Sequence, residues 1–134
     1  MNNMEVIDCT EIFKFKIMCE LFELNHSINS IYNGFQIHIF DEKKKEICDV
    51  VCHYGSYGGN DGLLEGMGGP YAQEDGDSVT GYLTAKDAFT SLIKYLDKSK
   101  IICYNTFRRL RVGKEKIWTE FVNARTESKG FCLS

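Results

Sequence analysis

The sequence has one proline in 134 residues, one tryptophan, and no apolar run of membrane-spanning length. A lone proline excludes Pro-rich linkers and recognition segments, and it favours well-formed elements joined by short connections. Lys or Glu interrupts the longest apolar stretches well short of the roughly 18 residues that a membrane helix needs, so no membrane partner is expected. Met1–Asp8 carries no basic start followed by an apolar run, and no secretory signal is read there. Cys9, Cys19, Cys48, Cys52, Cys103 and Cys132 are therefore expected as reduced thiols of a cytoplasmic protein, since a disulfide framework needs an oxidising compartment. Named nucleotide-binding motifs are missing too. The glycines show neither a G-x-G-x-x-G spacing nor a Gly-Lys-Ser/Thr ending.

What is present is a globular composition, with 43% apolar and 13% aromatic residues, enough for a core in one domain without metal or disulfide staples. The net charge of −3 conceals an asymmetry. Residues 1–97 carry 7 Lys and Arg against 16 Asp and Glu, whereas residues 98–134 carry 9 against 3. The chain accordingly divides into a core domain, 1–97, and a basic extension, 98–134, expected to pack on the same domain. A polarised chain of this kind points to a charged partner at one end, or to two halves of one surface neutralising each other.

The fold class expected is α+β. Asp8 followed by Glu11 reads as a capping box opening a helix over 9–24. Its apolar stripe is Phe13, Ile17, Leu21 and Leu24, widened by Phe15, Met18, Cys19 and Phe22, as for a helix lying flat on a sheet. Asn33-Gly34 is a preferred two-residue hairpin pair between the β-rich flanks 26–32 and 35–41, and 46–54 supplies a third strand. Pairing Asp41 with Glu46 sets Ile39 opposite Cys48, Ile37 opposite Val50 and Phe35 opposite Cys52, all core-type residues on one face. The other face would align Asn29, His38 and Asp49. A three-stranded meander is thus expected, followed by a glycine-rich loop from Gly55 to Gly69 holding a short apolar turn. Thr84 with Asp87 caps a second helix with Ala88, Leu92, Tyr95 and Leu96 on its apolar side, and 114–124 reads as a final amphipathic helix.

Three groups of residues could carry chemistry. His38 beside Asp49 resembles the orienting pair of a hydrolase, with Ser56 or Tyr57 of the glycine loop as the nearest nucleophile, and the same pair also fits a cross-strand polar contact facing solvent. The loop Gly55–Gly62 could cradle a phosphate on its N–H groups, although Asp61 and Glu65 would repel one, and its glycines equally fit tight turns. Cys48 and Cys52 lie four apart on a strand, about 13 Å, too far to share a zinc ion, so no metal site and no cofactor is expected. The third group is Arg108, Arg109, Arg111, Lys114 and Lys116, interleaved with Tyr104 and Trp118. It has the ingredients for phosphate contacts and base stacking, and fits a solvated or intramolecularly docked face as well.

The strings Asp49–Gly58, Gly62–Gly68, Asp77–Val79 and Gly81–Phe89 (VCHYGSYG, GLLEGMG and GYLTAKDAF at their centres) resemble a family of small proteins of phages and mobile elements in low-GC Gram-positive bacteria. The resemblance spans roughly residues 10–97, and this chain departs from it where Gly68-Gly69-Pro70 stands in place of a longer acidic helical stretch. It implies a context: a non-catalytic binding protein, an inhibitor of a host defence system of the anti-CRISPR or another kind, with a host protein or ribonucleoprotein as partner. Tyr57 and Asp61, with the basic group, would be its binding residues. Two other functions fit the residues: a nucleic-acid-binding regulator using 104–118, and a hydrolase or nucleotide-handling enzyme using the glycine loop with His38 and Asp49. Unpaired sheet edges would also suit a homodimer.

Overall fold

The computed structural model describes residues 6–101. The chain is α+β, with helix α1 (Thr10–Leu21), strands β1 (Asn25–Ile31), β2 (Gly34–Phe40), β3 (Glu46–Cys52), β4 (Leu64–Gly68) and β5 (Val79–Leu83), and helix α2 (Ala85–Lys98). The five strands form one antiparallel meander in the order β1-β2-β3-β4-β5. Both helices lie on one face of it. The core joins Ile12, Phe15, Met18, Cys19 and Phe22 of α1 and its end to Ala88, Phe89, Leu92 and Leu96 of α2, over Ile37, Ile39, Cys48, Val50, Cys52 and Leu64 of the sheet.

The sheet is wider than the expected three strands. Gly66 and Gly68 made 64–68 read as loop because glycine weakens a strand, yet here both are strand residues in close contact. A Cβ on Gly66 would lie 2.5 Å from the ring of Tyr71, and one on Gly68 2.8 Å from the Ile47 carbonyl oxygen. The glycines thus admit a packed side chain and a neighbouring backbone. β5 then pairs with β4, with an irregularity between Leu64 and Gly66. The remaining connection, residues 53–63, is a series of tight turns containing a 3-10 turn at Gly59–Asp61.

The register of β2 on β3 follows the expectation for Phe35–Cys52, Ile37–Val50 and Ile39–Cys48. Beyond Ile39 it slips: Phe40, not Asp41, pairs with Glu46, and Ile47 is the extra residue packed against the core. The first hairpin is also displaced by one residue. Ile31 pairs with Gly34, so the turn residues are Tyr32 (φ 43°) and Asn33 (φ 64°), not Asn33-Gly34. Gly34 is used as a strand residue, since a Cβ there would lie 1.9 Å from the Cys52 carbonyl oxygen. The slip shifts β1 by two residues along β2 and leaves its faces unchanged: Ile28 meets Ile37 over the core, Ser27 rather than Asn29 stands opposite His38, and Asn29 pairs with Gln36 on the same face.

Helix α1 and its end bury chiefly the residues that widen its apolar stripe, Phe15, Met18, Cys19 and Phe22, with Leu24. Phe15 and Phe22 meet Phe89 of α2 at centroid distances of 5.8 and 5.0 Å, and Leu21 is left 39% exposed. The stripe is broad enough for the neighbouring helix to decide which part of it is buried. The capping box is divided between two helices. Asp8 Oδ1 accepts from Thr10 N at 2.9 Å, whereas Glu11 Oε1 accepts from Ala85 N at 2.7 Å, in the first turn of α2. Thr84 caps α2 as expected, its Oγ1 accepting from Asp87 N at 3.1 Å. The helix read over 114–124 lies outside the described residues.

Candidate functional site

The face of the sheet turned away from the helices carries His38, Gln36, Asp49, Glu46 and Glu65. His38 and Asp49 are register partners, as expected. Their side chains are engaged elsewhere. His38 Nδ1 lies 3.1 Å from Glu46 Oε2, and Asp49 Oδ2 accepts from Gln36 Nε2 at 3.1 Å, while Asn29 Nδ2 donates to Gln36 Oε1 at 3.4 Å. Ser56 is buried, and its Oγ accepts from His53 N at 3.0 Å and donates to His53 O at 2.9 Å. From Asp49 to His53 the strand advances about 13 Å. The hydroxyl therefore braces a turn at one end of β3, and the structure does not bring it to the imidazole and carboxylate.

Burial holds the Asp49 carboxyl above its ordinary range, opposed by the Gln36 hydrogen bond, assisted by Glu46, opposed by His38, and assisted by Glu65. Wherever Asp49 is ionised, the folded state bears an unfavourable charge. Protonation on acidification through the raised value relieves it, completely so below about 3.8. Asp49→Asn keeps an acceptor for Gln36 and removes the charge. It should raise the melting temperature at pH 7, and the gain should disappear by about pH 4. Thermal melts of both proteins at the two pH values check this.

The glycine-rich turns hold most of their N–H groups to themselves. Ser56, Gly59, Asp61, Gly62 and Leu63 donate to carbonyls of residues 53–59, and Tyr57 N donates to the Glu65 carboxylate at 2.7 Å. The position a phosphate would take is partly filled by a carboxylate of the chain itself. Cys48 and Cys52 are buried thiols, as expected. Burial, with the negative groups Cys9, Asp8 and Glu11 around it, pushes the Cys52 thiol up to about 12, so it is protonated and unreactive at neutral pH.

These turns instead assemble a rim of tyrosines at one end of the sheet. Tyr32 is in the first hairpin turn, Tyr54 follows β3, Tyr57 lies in the turns, and Tyr82 sits in β5, with exposures of 68, 47, 62 and 63%. Contacts join them in two pairs. Tyr54 N donates to Tyr32 O at 2.9 Å, the Tyr32 and His53 rings meet edge to face at 5.4 Å, and Tyr82 N donates to Tyr57 O at 3.2 Å. A Cβ on Gly81 would lie 2.4 Å from Tyr57 Cβ, and one on Gly58 3.0 Å from Tyr82 Cα, so both glycines are needed to bring Tyr57 and Tyr82 together.

Tyr32 and Tyr82 have left-handed backbones, with φ of 43° and 59°. That conformation costs a bulky residue about 1–2 kcal/mol, and Asn or Gly occupies it with less strain. Their rings recover little of this by burial. Strain without a packing return marks a position held for another purpose.

Tyr57 and Asp61, both read as binding residues, belong to this end of the molecule. Tyr32, Tyr54 and Tyr82 escaped the sequence reading because only the five-stranded sheet brings them together. Tyr104, Arg108, Arg109, Arg111, Lys114, Lys116 and Trp118 lie outside the described residues. None of the described helices is long and apolar enough to cross a membrane. Comparison with protein-family models, curated proteins and solved structures gave no match.

Proposed function

We propose that this chain is a non-catalytic binding protein that engages a partner protein through the tyrosine rim. The observation that carries the reading is the pair of strained, exposed tyrosines, Tyr32 and Tyr82. Tyrosine is the residue type that protein interfaces favour, because it offers a broad amphipathic surface at little entropic cost. The engagement of Ser56, His38 and Asp49 by other partners weighs against an acyl-transfer role for those three groups. The resemblance to small phage and mobile-element proteins supplies the setting: a host protein or ribonucleoprotein as target, and inhibition of a host defence system as the outcome of binding.

Affinity co-purification from a low-GC Gram-positive lysate, with and without nuclease, tests the reading when run beside Tyr32→Asn/Tyr82→Gly. A discrete protein that survives nuclease and is lost with the variant is the expected result. Retention of the same protein by the variant would remove the rim from the account. Recovery of nucleic acid alone would transfer the function to the 104–118 region.

A further inference from the structure

Charge gives the rim's partner a chemistry, an inference that rests on the binding reading above. Residues 46–85, which contribute β3, β4, β5 and the turns bearing Tyr54, Tyr57 and Tyr82, contain 7 Asp and Glu and no Lys or Arg; of these Asp61 and Glu65 stand at the rim's end of the sheet, whereas Glu46, Glu74, Asp75 and Asp77 belong to the opposite end. The first hairpin, residues 25–40, contains no charged residue of either sign apart from its histidines.

Two acidic residues, Glu65 and Asp61, lie at the tyrosine end of the sheet. Glu65 Oε1 accepts from Tyr57 N. Asp61 closes the 3-10 turn whose entering residue, Gly58, abuts Tyr82, and the adjacent Gly62 packs against Asp8. A surface of this kind repels nucleic-acid phosphates and anionic membranes at close range. Exposed aromatic faces set among carboxylates favour a cation, and a guanidinium above all. Its plane stacks on tyrosine while its fork of N–H donors meets a carboxylate, a combination that the compact, strongly hydrated lysine ammonium matches poorly.

We infer that the rim formed by Tyr32, Tyr54, Tyr57 and Tyr82 with Asp61 and Glu65 is a docking site for an arginine-bearing segment of a partner protein. The tyrosines supply stacking surfaces, the carboxylates fix the guanidinium edges, and the left-handed backbone at Tyr32 and Tyr82 holds two of the rings out from the sheet.

Fluorescence anisotropy with the full chain tests this, using labelled decapeptides of alternating Arg-Gly, Lys-Gly and Glu-Gly. The expected order is Arg-Gly tightest, Lys-Gly weaker and Glu-Gly without binding. Tyr32→Asn/Tyr82→Gly leaves the net charge unchanged and relieves backbone strain. It should melt at or above the wild-type temperature while binding the Arg-Gly peptide about tenfold more weakly. Asp61→Asn, also folded, should weaken the same peptide.

Equal binding of the Arg-Gly and Lys-Gly peptides, or affinity unchanged in the double tyrosine variant, would show attraction by net charge alone and overturn the inference. So would a wild type that ignores the Arg-Gly peptide. If a co-purified protein is nevertheless lost with the double variant, the rim still binds, but a partner of different chemistry; if that protein is retained, the binding reading fails with it.

Discussion

Gly34→Ala should destabilise the protein by about 3 kcal/mol, the high end for an added methyl group, because nothing near the site can yield. The new Cβ would lie 1.9 Å from the Cys52 carbonyl oxygen and 2.6 Å from the His53 Cα. Both are backbone atoms, of the last residue of β3 and of the residue that follows it. Relief requires β2 and β3 to part at the centre of the meander, with loss of ladder hydrogen bonds and of the contact between Phe35 and Phe13, whose rings meet at 4.8 Å. Gly55 is the control. It has φ of 93° and no heavy atom within 4 Å of its Cβ position, so Gly55→Ala carries only the left-handed penalty, about 1 kcal/mol. Urea denaturation of the two variants separates close approach from backbone conformation. Equal losses would mean that β3 does not pass so near Gly34.

The same glycine explains how far the fold was legible. Asn33-Gly34 correctly announced a hairpin, because few other pairs occupy a two-residue turn so readily. Its register depended on a residue 18 positions away, and no local preference can report a carbonyl from the third strand. Given Gly34 as a strand residue, the turn moved onto Tyr32-Asn33 and β1 slid two residues along β2, keeping its faces. The pairing of β2 with β3 was legible because alternating apolar residues on both strands agree in only one register. β4 and β5 were hidden by glycines at 66, 68 and 81, whose role is to admit Tyr71, Cys48 and Tyr57.

For the site, sequence reading placed His38 opposite Asp49 correctly and kept both a catalytic pair and a cross-strand polar contact open. Side chains of Glu46 and Gln36 reach those groups first. The tyrosine rim was the reverse case. Its members are spaced 22, 3 and 25 residues apart in the chain, with no periodicity to announce them. The available signal was a bulky residue before Asn33 in a turn, and another between Gly81 and Leu83, where smaller residues fold more easily.

Tyr71→Ala is expected to be as damaging as any core truncation, at about 3–5 kcal/mol. The ring is 2% exposed, its base lies over Gly66 of β4, and its hydroxyl donates to Ala88 O of α2 at 2.8 Å, while its own carbonyl accepts from Thr80 Oγ1 of β5 at 2.7 Å. The side chain thereby ties β4 to the helix above it, and the Tyr71 main chain adds the link to β5. Tyr71→Phe keeps the packing and forfeits one hydrogen bond, about 1 kcal/mol at pH 8. That difference should close with alkali. Burial, with the negative groups Cys48, Cys19 and Asp49, raises the phenol well above its ordinary 10.0. The unfolded chain then loses the proton first, so stability is intact below pH 10 and falls as the pH rises toward the folded value. Cys52, raised from 9.0 to about 12, starts the decline near pH 9 in both proteins. Only the wild type carries the later component. Urea midpoints at pH 8, 10 and 11 should therefore converge and then cross, leaving Tyr71→Phe the more stable at the highest pH. A constant gap would mean that the hydroxyl ionises as readily in the folded protein as in the unfolded chain, and that the lock on Ala88 is open to water.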